Sequence, residues 1–430
     1  MIKKSKAEIL DVVVIGGGPA GLMAAGTAGK FGAKVALLEK NEIMGKKLLI
    51  SGGGRCNMTN ADPSERNLIS KFGKKGDFLF SPFSAFGVEE TLRFFENLGV
   101  KTKVENNFRV FPVSDKSADV LEALVKNAKN NKVEFKVGVG VSHIKKTKNK
   151  IESLILENGE EVKAKTFILA TGGKSHPETG STGDGFKWLK TLGHKIVESN
   201  PSLVPIITKD KWVSELAGIT LSDVGVSLMQ DGKKILSKKG RILFTHDGLS
   251  GPTIINMSKT ISDLIEGDEY EGSKEVKVAI DFFPGVGLDI MHEKIRTAFD
   301  ANPRKKISNL VFKEVPEKVY LRMLKLMGMD GEWFANEVKR QERFAIVEKF
   351  KKFEFTVDKL HGYDKAIISS GGVDLKEVDF KEMKSKLYDN LFLVGDILDF
   401  DRPSGGFSLQ LCWTTGFVAG KSAAKNSKES

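Results

Sequence analysis

The chain has 430 residues, 40% hydrophobic and 29% charged, with a net charge of +11; that length exceeds one compact core and predicts two or three domains. The 67 Lys and Arg are mixed with 56 acidic residues and form no run of five, which disfavours nucleic acid as a partner because no basic patch is visible. Cys56 and Cys412 stand far apart without CxxC spacing, which excludes a disulfide scaffold, a zinc site and a dithiol centre and fits a reducing cytoplasm.

Lys3, Lys4 and Lys6 ahead of the uncharged stretch Val12–Gly29 imitate a signal peptide or a membrane span. Six glycines and a proline inside the stretch, with Glu8 and Asp11 before it, argue against both. The same residues fit a different template. Asp11–Ile15 is a short β-branched run, the mark of a buried parallel strand. Gly16-Gly17-Gly18-Pro19-Ala20-Gly21 is a GxGxxG turn, Leu22–Phe31 predicts a helix, and Lys34–Glu39 predicts a second strand ending in an acid. In such a unit Gly16 permits the tight turn, Gly18 lets backbone approach a pyrophosphate, and Gly21 lets helix and strand touch. The helix N-terminus offers unpaired N–H groups to phosphate. Glu39 suits the adenosine ribose hydroxyls, with Lys40 beside it, and disfavours a 2′-phosphate there.

Further along, Lys46 and Lys47 precede the loop Ser51-Gly52-Gly53-Gly54-Arg55-Cys56-Asn57. Many backbone donors and little side-chain bulk suit a loop wrapped on a pyrophosphate or a flavin edge, with Arg55 and a lysine to neutralise phosphate. A three-stranded crossover is expected from Val133–Ile144, Ile151–Glu157 and Glu161–Ile168, with Val141 beside the adenine. The Lys163–Ala170 strand runs into Thr171-Gly172-Gly173, and Asn390–Val394 runs into Gly395-Asp396. Flavoproteins of the two-dinucleotide-binding-fold type use such strands to return to the cofactor, one bringing backbone to the pyrophosphate and one a carboxylate to the ribityl chain. The combination selects FAD over NAD, and no second complete GxGxxG unit is present: Gly138-Val139-Gly140 lies in a strand, not ahead of a helix.

The middle of the chain predicts a β-barrel-like insert over 195–286, with runs Leu203–Ile207, Val224–Met229 and Val276–Phe282 and turns at Asp231-Gly232 and Asp247-Gly248. A small helical insert is expected over 287–354, broken at Asp330-Gly331. The Rossmann-like FAD-binding α/β domain then comprises 1–194 and 355–430, with Ala366–Val373 carrying a strand back to the cleft. Gly405-Gly406 opens a helix over Phe407–Ala419, whose tip amides would face flavin N1 and O2 and favour the reduced state. Phe407, Ser408, Leu409 and Gln410 are expected within contact of the isoalloxazine or ribityl chain. His246 and His176 are weak candidates for acid–base chemistry; a redox pair of Cys56 and Cys412 ranks below ordinary burial.

The chain resembles the BaiN/YhiN-type flavoproteins, FAD-dependent oxidoreductases that include aminoacetone oxidases and bile-acid enone reductases. The resemblance covers almost the whole chain. It rests on Gly45–Asn57 followed by Thr59-Asn60, on the ATGG run from Ala170 with Gly180–Gly185 after it, on Phe244–Pro252, and on Gly395–Gln410. The family more often has Glu at Asp396, Gly near Arg402, and Tyr-Asn at Phe407-Ser408. The resemblance implies a barrel-like domain and a helical piece inserted into the FAD domain. It also implies hydride transfer at flavin N5 with a small organic substrate, NAD(P)H being a candidate transient donor. An amine oxidase passing electrons to oxygen and an FAD-dependent tRNA-modifying protein are the alternatives. No membrane partner is expected, and the assembly is a monomer or homodimer.

Overall fold

The computed structural model describes residues 9–197, 201–266, 275–310, 312–362, 368–369 and 371–429. The chain divides into two compact units, Met1–Pro201 with Ala366–Ser430, and Ser202–Lys365.

The first unit is built on a mainly parallel sheet. Leu10–Ile15 lies at its centre, flanked by Val35–Glu39 and Glu161–Leu169; Glu134–Val137 extends one side and Leu391–Leu393 the other. Val12, Val13 and Val14 are wholly buried, because helices cover both faces of a parallel sheet. The Glu161–Leu169 strand serves twice. Its first half alternates exposed and buried residues and pairs antiparallel with Ile151–Leu156; from Thr166 onward every residue is buried and the strand pairs with Leu10–Ile15. The expected single strand Val133–Ile144 is in fact two. Gly138 takes φ 69° and breaks the run, so Glu134–Val137 joins the main sheet and Val141–Lys146 joins the crossover.

The helix after the glycine turn, Pro19–Lys30, is buried almost all round. Its second partner is the C-terminal helix, which runs through Phe407–Glu429 instead of ending at Ala419. A Cβ on Gly416 would lie 2.6 Å from Ala20 O, so the two backbones touch, and buried Ala423, Ala424 and Ser427 extend the contact face past the expected end. Within the strand expected over Ala366–Val373, residues Ala366, Ile367 and Ser370 lie outside those described; Gly372–Val373 pairs with Ile196–Val197.

His194 is sealed inside this unit. Nδ1 lies 2.8 Å from Glu377 Oε2 and Nε2 lies 3.0 Å from Ser385 Oγ. Ser385 Oγ also accepts from the Leu387 and Tyr388 N–H groups, so its own proton is free to face Nε2. The geometry therefore fits a neutral ring donating to Glu377. Burial holds the His194 pKa below 6.5, with Glu377 opposing. Because the unfolded chain takes up that proton more readily, the stability contributed by the neutral ring is complete above 6.5 and declines below it. Thermal unfolding midpoints should fall as pH drops through this region, and the fall should be smaller in His194→Gln.

The second unit contains a closed barrel of six antiparallel strands, in the order Ile206–Thr208, Gly248–Ser250, Lys233–Phe244, Thr220–Gln230, Val276–Asp281, Phe353–Leu360. Asp231 and Gly232 both take positive φ, the Asp-Gly geometry of a tight hairpin. Expecting the FAD domain to resume at Phe355 misplaces the closing strand. Phe353, Phe355 and Val357 are buried at alternate positions, and the two rings pack with Trp212, Phe244 and Phe282. Nor do the barrel and the helices Leu288–Asp300, Glu317–Leu326 and Arg340–Lys351 form separate cores: Met291, Phe299, Tyr320 and Phe350 belong to one cluster with the barrel interior. Helices of this length bury too little alone.

Candidate functional site

Ligands of open parallel sheets bind beyond the carboxyl ends of the strands. In the first unit that edge collects most of the residues expected from sequence. The turn is as tight as the glycines demand: a Cβ on Gly21 would sit 1.9 Å from Gly16 O, and one on Gly16 would sit 2.5 Å from Ala170 O. The ATGG segment Ala170, Thr171, Gly172 and Gly173 therefore lies against the turn, with Ala170 N donating to Ile15 O at 2.9 Å. On the other flank Gly395 approaches Ala20, whose Cβ would be 2.9 Å from a Cβ added there. Gly18 differs from its neighbours. It caps the helix in extended conformation ahead of Pro19, and a Cβ built on it meets nothing within 4 Å.

Glu39 is buried, and Oε2 accepts from Gly17 N–H at 2.7 Å while Oε1 accepts from Asn41 N–H at 2.8 Å. The acid thus holds the glycine turn as well as closing its strand. A carboxylate offers about four lone-pair sites, so Oε2 retains acceptor capacity. Val139 N–H donates to Glu39 O at 3.0 Å, which brings the segment leading to buried Val141 alongside the acid. Lys40 points elsewhere: it pairs with Asp184 at 2.7 Å and donates to Thr182 at 2.6 Å. Burial opposes the Asp184 charge, yet Lys40 and Thr182 bring its pKa to about 2.

Lys47 and Asp396 meet. Lys47 Nζ donates to Ser175 Oγ at 2.5 Å and lies 3.5 Å from Asp396 Oδ2, whereas Lys46 reaches Asn41 at 3.4 Å. Arg402, fully buried, pairs with Asp396 Oδ1 at 2.7 Å. Burial works against the Asp396 charge, but Arg402 and then Lys47 hold its carboxyl below the ordinary 3.8. Arg402 is the main site-side residue that sequence reasoning passed over. Arginine is rarely buried unless paired, and its partner is six residues away in an irregular loop.

The Ser51–Asn57 loop presents backbone to open space: Gly52, Gly53 and Gly54 are all left-handed, and a Cβ on Gly53 would meet nothing within 4 Å. Ser51 Oγ is committed to Leu48 O. Arg55 lies over the Phe111 ring and is ion-paired to Glu105 and Asp115, so its charge is already matched within the protein. Cys56 and Cys412 are both free and buried. Burial pushes the Cys56 thiol up to about 12, and also raises that of Cys412. Both are thiols at neutral pH, poor nucleophiles, and nothing in the structure pairs them.

At the C-terminal helix the expected contact residues separate. The Asn57 amide, oriented with its NH2 toward the Thr59 and Val110 carbonyls, accepts from Gly406 N–H at 3.1 Å. Phe407 turns into the core, its ring edge-on to Phe72 at 6.0 Å. Gln410 is wholly buried: its oxygen accepts from Thr59 Oγ1 at 2.6 Å, and its nitrogen donates to Thr91 Oγ1 at 2.9 Å and Thr414 Oγ1 at 3.0 Å. It pins the loop from inside. Ser408 and Leu409 remain partly exposed.

Of the two histidines, His176 sits just after Ser175, with Nδ1 2.8 Å from Glu178 Oε1. His246 is exposed in a loop of the other unit, where its neighbour Asp247 pairs with His361 at 3.0 Å. Among the described residues no cluster of His, Cys, Asp and Glu could hold a metal ion, and no helix is long and apolar enough to cross a membrane.

The edge suits a flavin dinucleotide. Gly18 leaves room at a helix N-terminus, and Glu39 Oε2, bonded to Gly17 N–H, keeps acceptor capacity.

Comparison with known proteins bears on the same edge. A family model described as HI0933-like protein Rossmann domain matches residues 10–422. A 3-dehydro-bile acid delta(4,6)-reductase of Clostridium scindens is 31% identical over 414 residues, covering 96% of this chain and 98% of the relative. A ribosomal RNA dihydrouridine synthase of Haemophilus influenzae is 26% identical over 424 residues, covering 97% and 100%. The solved 3-ketosteroid-delta4-(5alpha)-dehydrogenase of Rhodococcus jostii RHA1 aligns over 98% of both chains with a TM-score of 0.53 at 15% identity, a likeness of fold.

Proposed function

Because the chain belongs to the HI0933-like Rossmann-domain family of FAD-dependent oxidoreductases, we propose that it reduces a carbon–carbon double bond conjugated to a carbonyl, with NAD(P)H as the transient donor. The observation that carries this reading is the 31% identity, across 96% of the chain, to a bile acid reductase. When bound and reduced by NAD(P)H, the flavin would supply a hydride at N5, the chemistry that the protein itself lacks. The amides after Gly18 and the helix dipole bind the diphosphate. Glu39 takes the adenosine ribose and Asp396 the ribityl hydroxyls, the latter kept anionic by Arg402 and Lys47. The N-terminal turn of Phe407–Glu429 lends positive character toward the site of negative charge on reduced flavin. Conjugation makes the carbon β to the carbonyl electrophilic, so the hydride would add there and a proton from solvent would complete the α carbon.

The test is anaerobic mixing with NADH or NADPH, then with a conjugated enone. The flavin absorbance should bleach with the nucleotide and return with the enone. Indifference to both nucleotides, with peroxide released from aminoacetone in air, would establish an amine oxidase instead.

A second reading places the conjugated bond in an RNA uridine, whose C5=C6 bond is conjugated to a ring carbonyl. It is favoured by the net charge of +11 and by the relative named for ribosomal RNA dihydrouridine synthesis.

A further inference from the structure

The barrel carries a concentration of charge that the even composition hides. The strand Lys233–Phe244 places Lys233, Lys234, Lys238, Lys239 and Arg241 within nine residues with no acid among them. All five are exposed. None has a carboxylate partner within ion-pair distance among the described residues; the one hydrogen bond of the set is Lys238 Nζ to Asn256 O at 3.5 Å. The nearby acids are otherwise placed. Asp281 on the next strand but one pairs with Lys351, and among the described residues Asp223 and Asp231, on the facing strand and turn, form no ion pair.

The backbone adds a second observation. On one side the strand pairs with Thr220–Gln230 along its length; on the other, among the described residues, it pairs with a strand at Leu243 and Phe244, against Gly248–Ser250. Gly251 and Thr253 pack on Ile242 and Gly240, and from Lys233 to Lys239 no second strand pairs with it among the described residues. Lys239 and Arg241, at alternate positions, share one outward face about 6.6 Å apart. Lys239 faces Gly225, which adds no side chain to screen it, and Arg241 lies opposite the register shift between Leu221 and Val224.

We propose that this basic edge, Lys233–Arg241, is a contact surface for the phosphate backbone of RNA. A lysine or two would suffice to keep an open edge from pairing with another chain; five unpaired cations on both faces of one strand exceed that need. An anionic membrane is the poorer fit, because Ile235 is the strand's one large apolar side chain that is exposed, and interfacial binding draws on buried apolar area as well as charge. The inference deepens the RNA reading above and rests on it for the identity of the substrate, not for the existence of the contact.

The experiment measures binding of a fluorescein-labelled RNA hairpin to FAD-loaded protein by anisotropy over a range of salt, in the wild type and in the Lys239→Ala/Arg241→Ala double variant. Wild-type affinity should fall steeply with salt. The double variant should bind on the order of ten-fold more weakly at low salt, with the log–log slope shallower by about two, one per phosphate contact removed. Its flavin spectrum and its turnover of a small enone should match the wild type. The inference is overturned if the wild type ignores RNA at low salt, if affinity and slope are the same in both proteins, or if the wild type prefers phosphatidylglycerol vesicles to RNA. RNA held through this edge but never reduced would remove the RNA-substrate reading alone. RNA reduced and bound equally by both proteins would remove this inference alone.

Discussion

Gly18→Val should fold like the wild type and lose FAD. Gly18 has φ −78° and ψ −176°, extended backbone that a β-branched residue adopts readily. A Cβ there meets nothing within 4 Å, so the protein alone gives no reason for strain, and melting should shift by no more than about 0.5 kcal/mol. With the dinucleotide bound, the same space is where the diphosphate must come close to the helix amides. Overlap costing about 3 kcal/mol corresponds to an affinity loss on the order of 100-fold. The contrast with Gly21→Val makes the result interpretable: there the Cβ would lie 1.9 Å from Gly16 O, so folding itself should fail. Circular dichroism and flavin fluorescence titration of the two variants separate the cases. Undiminished FAD affinity in Gly18→Val would move the diphosphate off this turn.

Asp396→Ala should lower both stability and FAD affinity, and a second substitution should restore only the first. The carboxylate is an ion-pair partner of Arg402, whose side chain has no exposed surface. Removing one member of a buried pair leaves the other charge poorly compensated, at a cost on the order of 3 kcal/mol. Because the Asp396 pKa lies below 3.8, its stabilising contribution is complete above that value and declines only as pH falls through the lowered one. The deficit of the variant should therefore be constant from neutral pH down toward 3.8. Asp396→Ala/Arg402→Met replaces the pair by an apolar side chain and should regain much of the stability. It cannot regain an acceptor for a ribityl hydroxyl, so FAD affinity should stay low. Chemical denaturation and FAD titration on the three proteins test the two effects separately.

The parts of the fold legible in the sequence are those written in local pattern. The run Val12–Ile15, the glycine spacing and the acid at Glu39 all act within one βαβ unit, and the buried strand and tight turn follow from them, whereas the Gly17–Glu39 bond emerges only in the structure. The hairpin at Asp231-Gly232 is equally local. What stayed hidden depends on distant partners. Phe353–Leu360 closes the barrel against Ile206–Thr208, and nothing near Phe355 announces that neighbour. Gln410 reads as a helix-tip polar residue available to a ligand until its partners Thr59 and Thr91, more than 300 residues away, are seen to enclose it. The basic edge was diluted by acids elsewhere in the chain; only the extended strand gathers the five cations into a surface.

The central claim is that the glycine-turn edge of the first unit holds FAD. It is tested most directly by stripping the purified protein of flavin and titrating it with FAD while following quenching of flavin fluorescence. One saturable site per chain is expected in the wild type, weakened on the order of 100-fold in Gly18→Val. A protein that is isolated colourless and leaves added FAD fully fluorescent would contradict it.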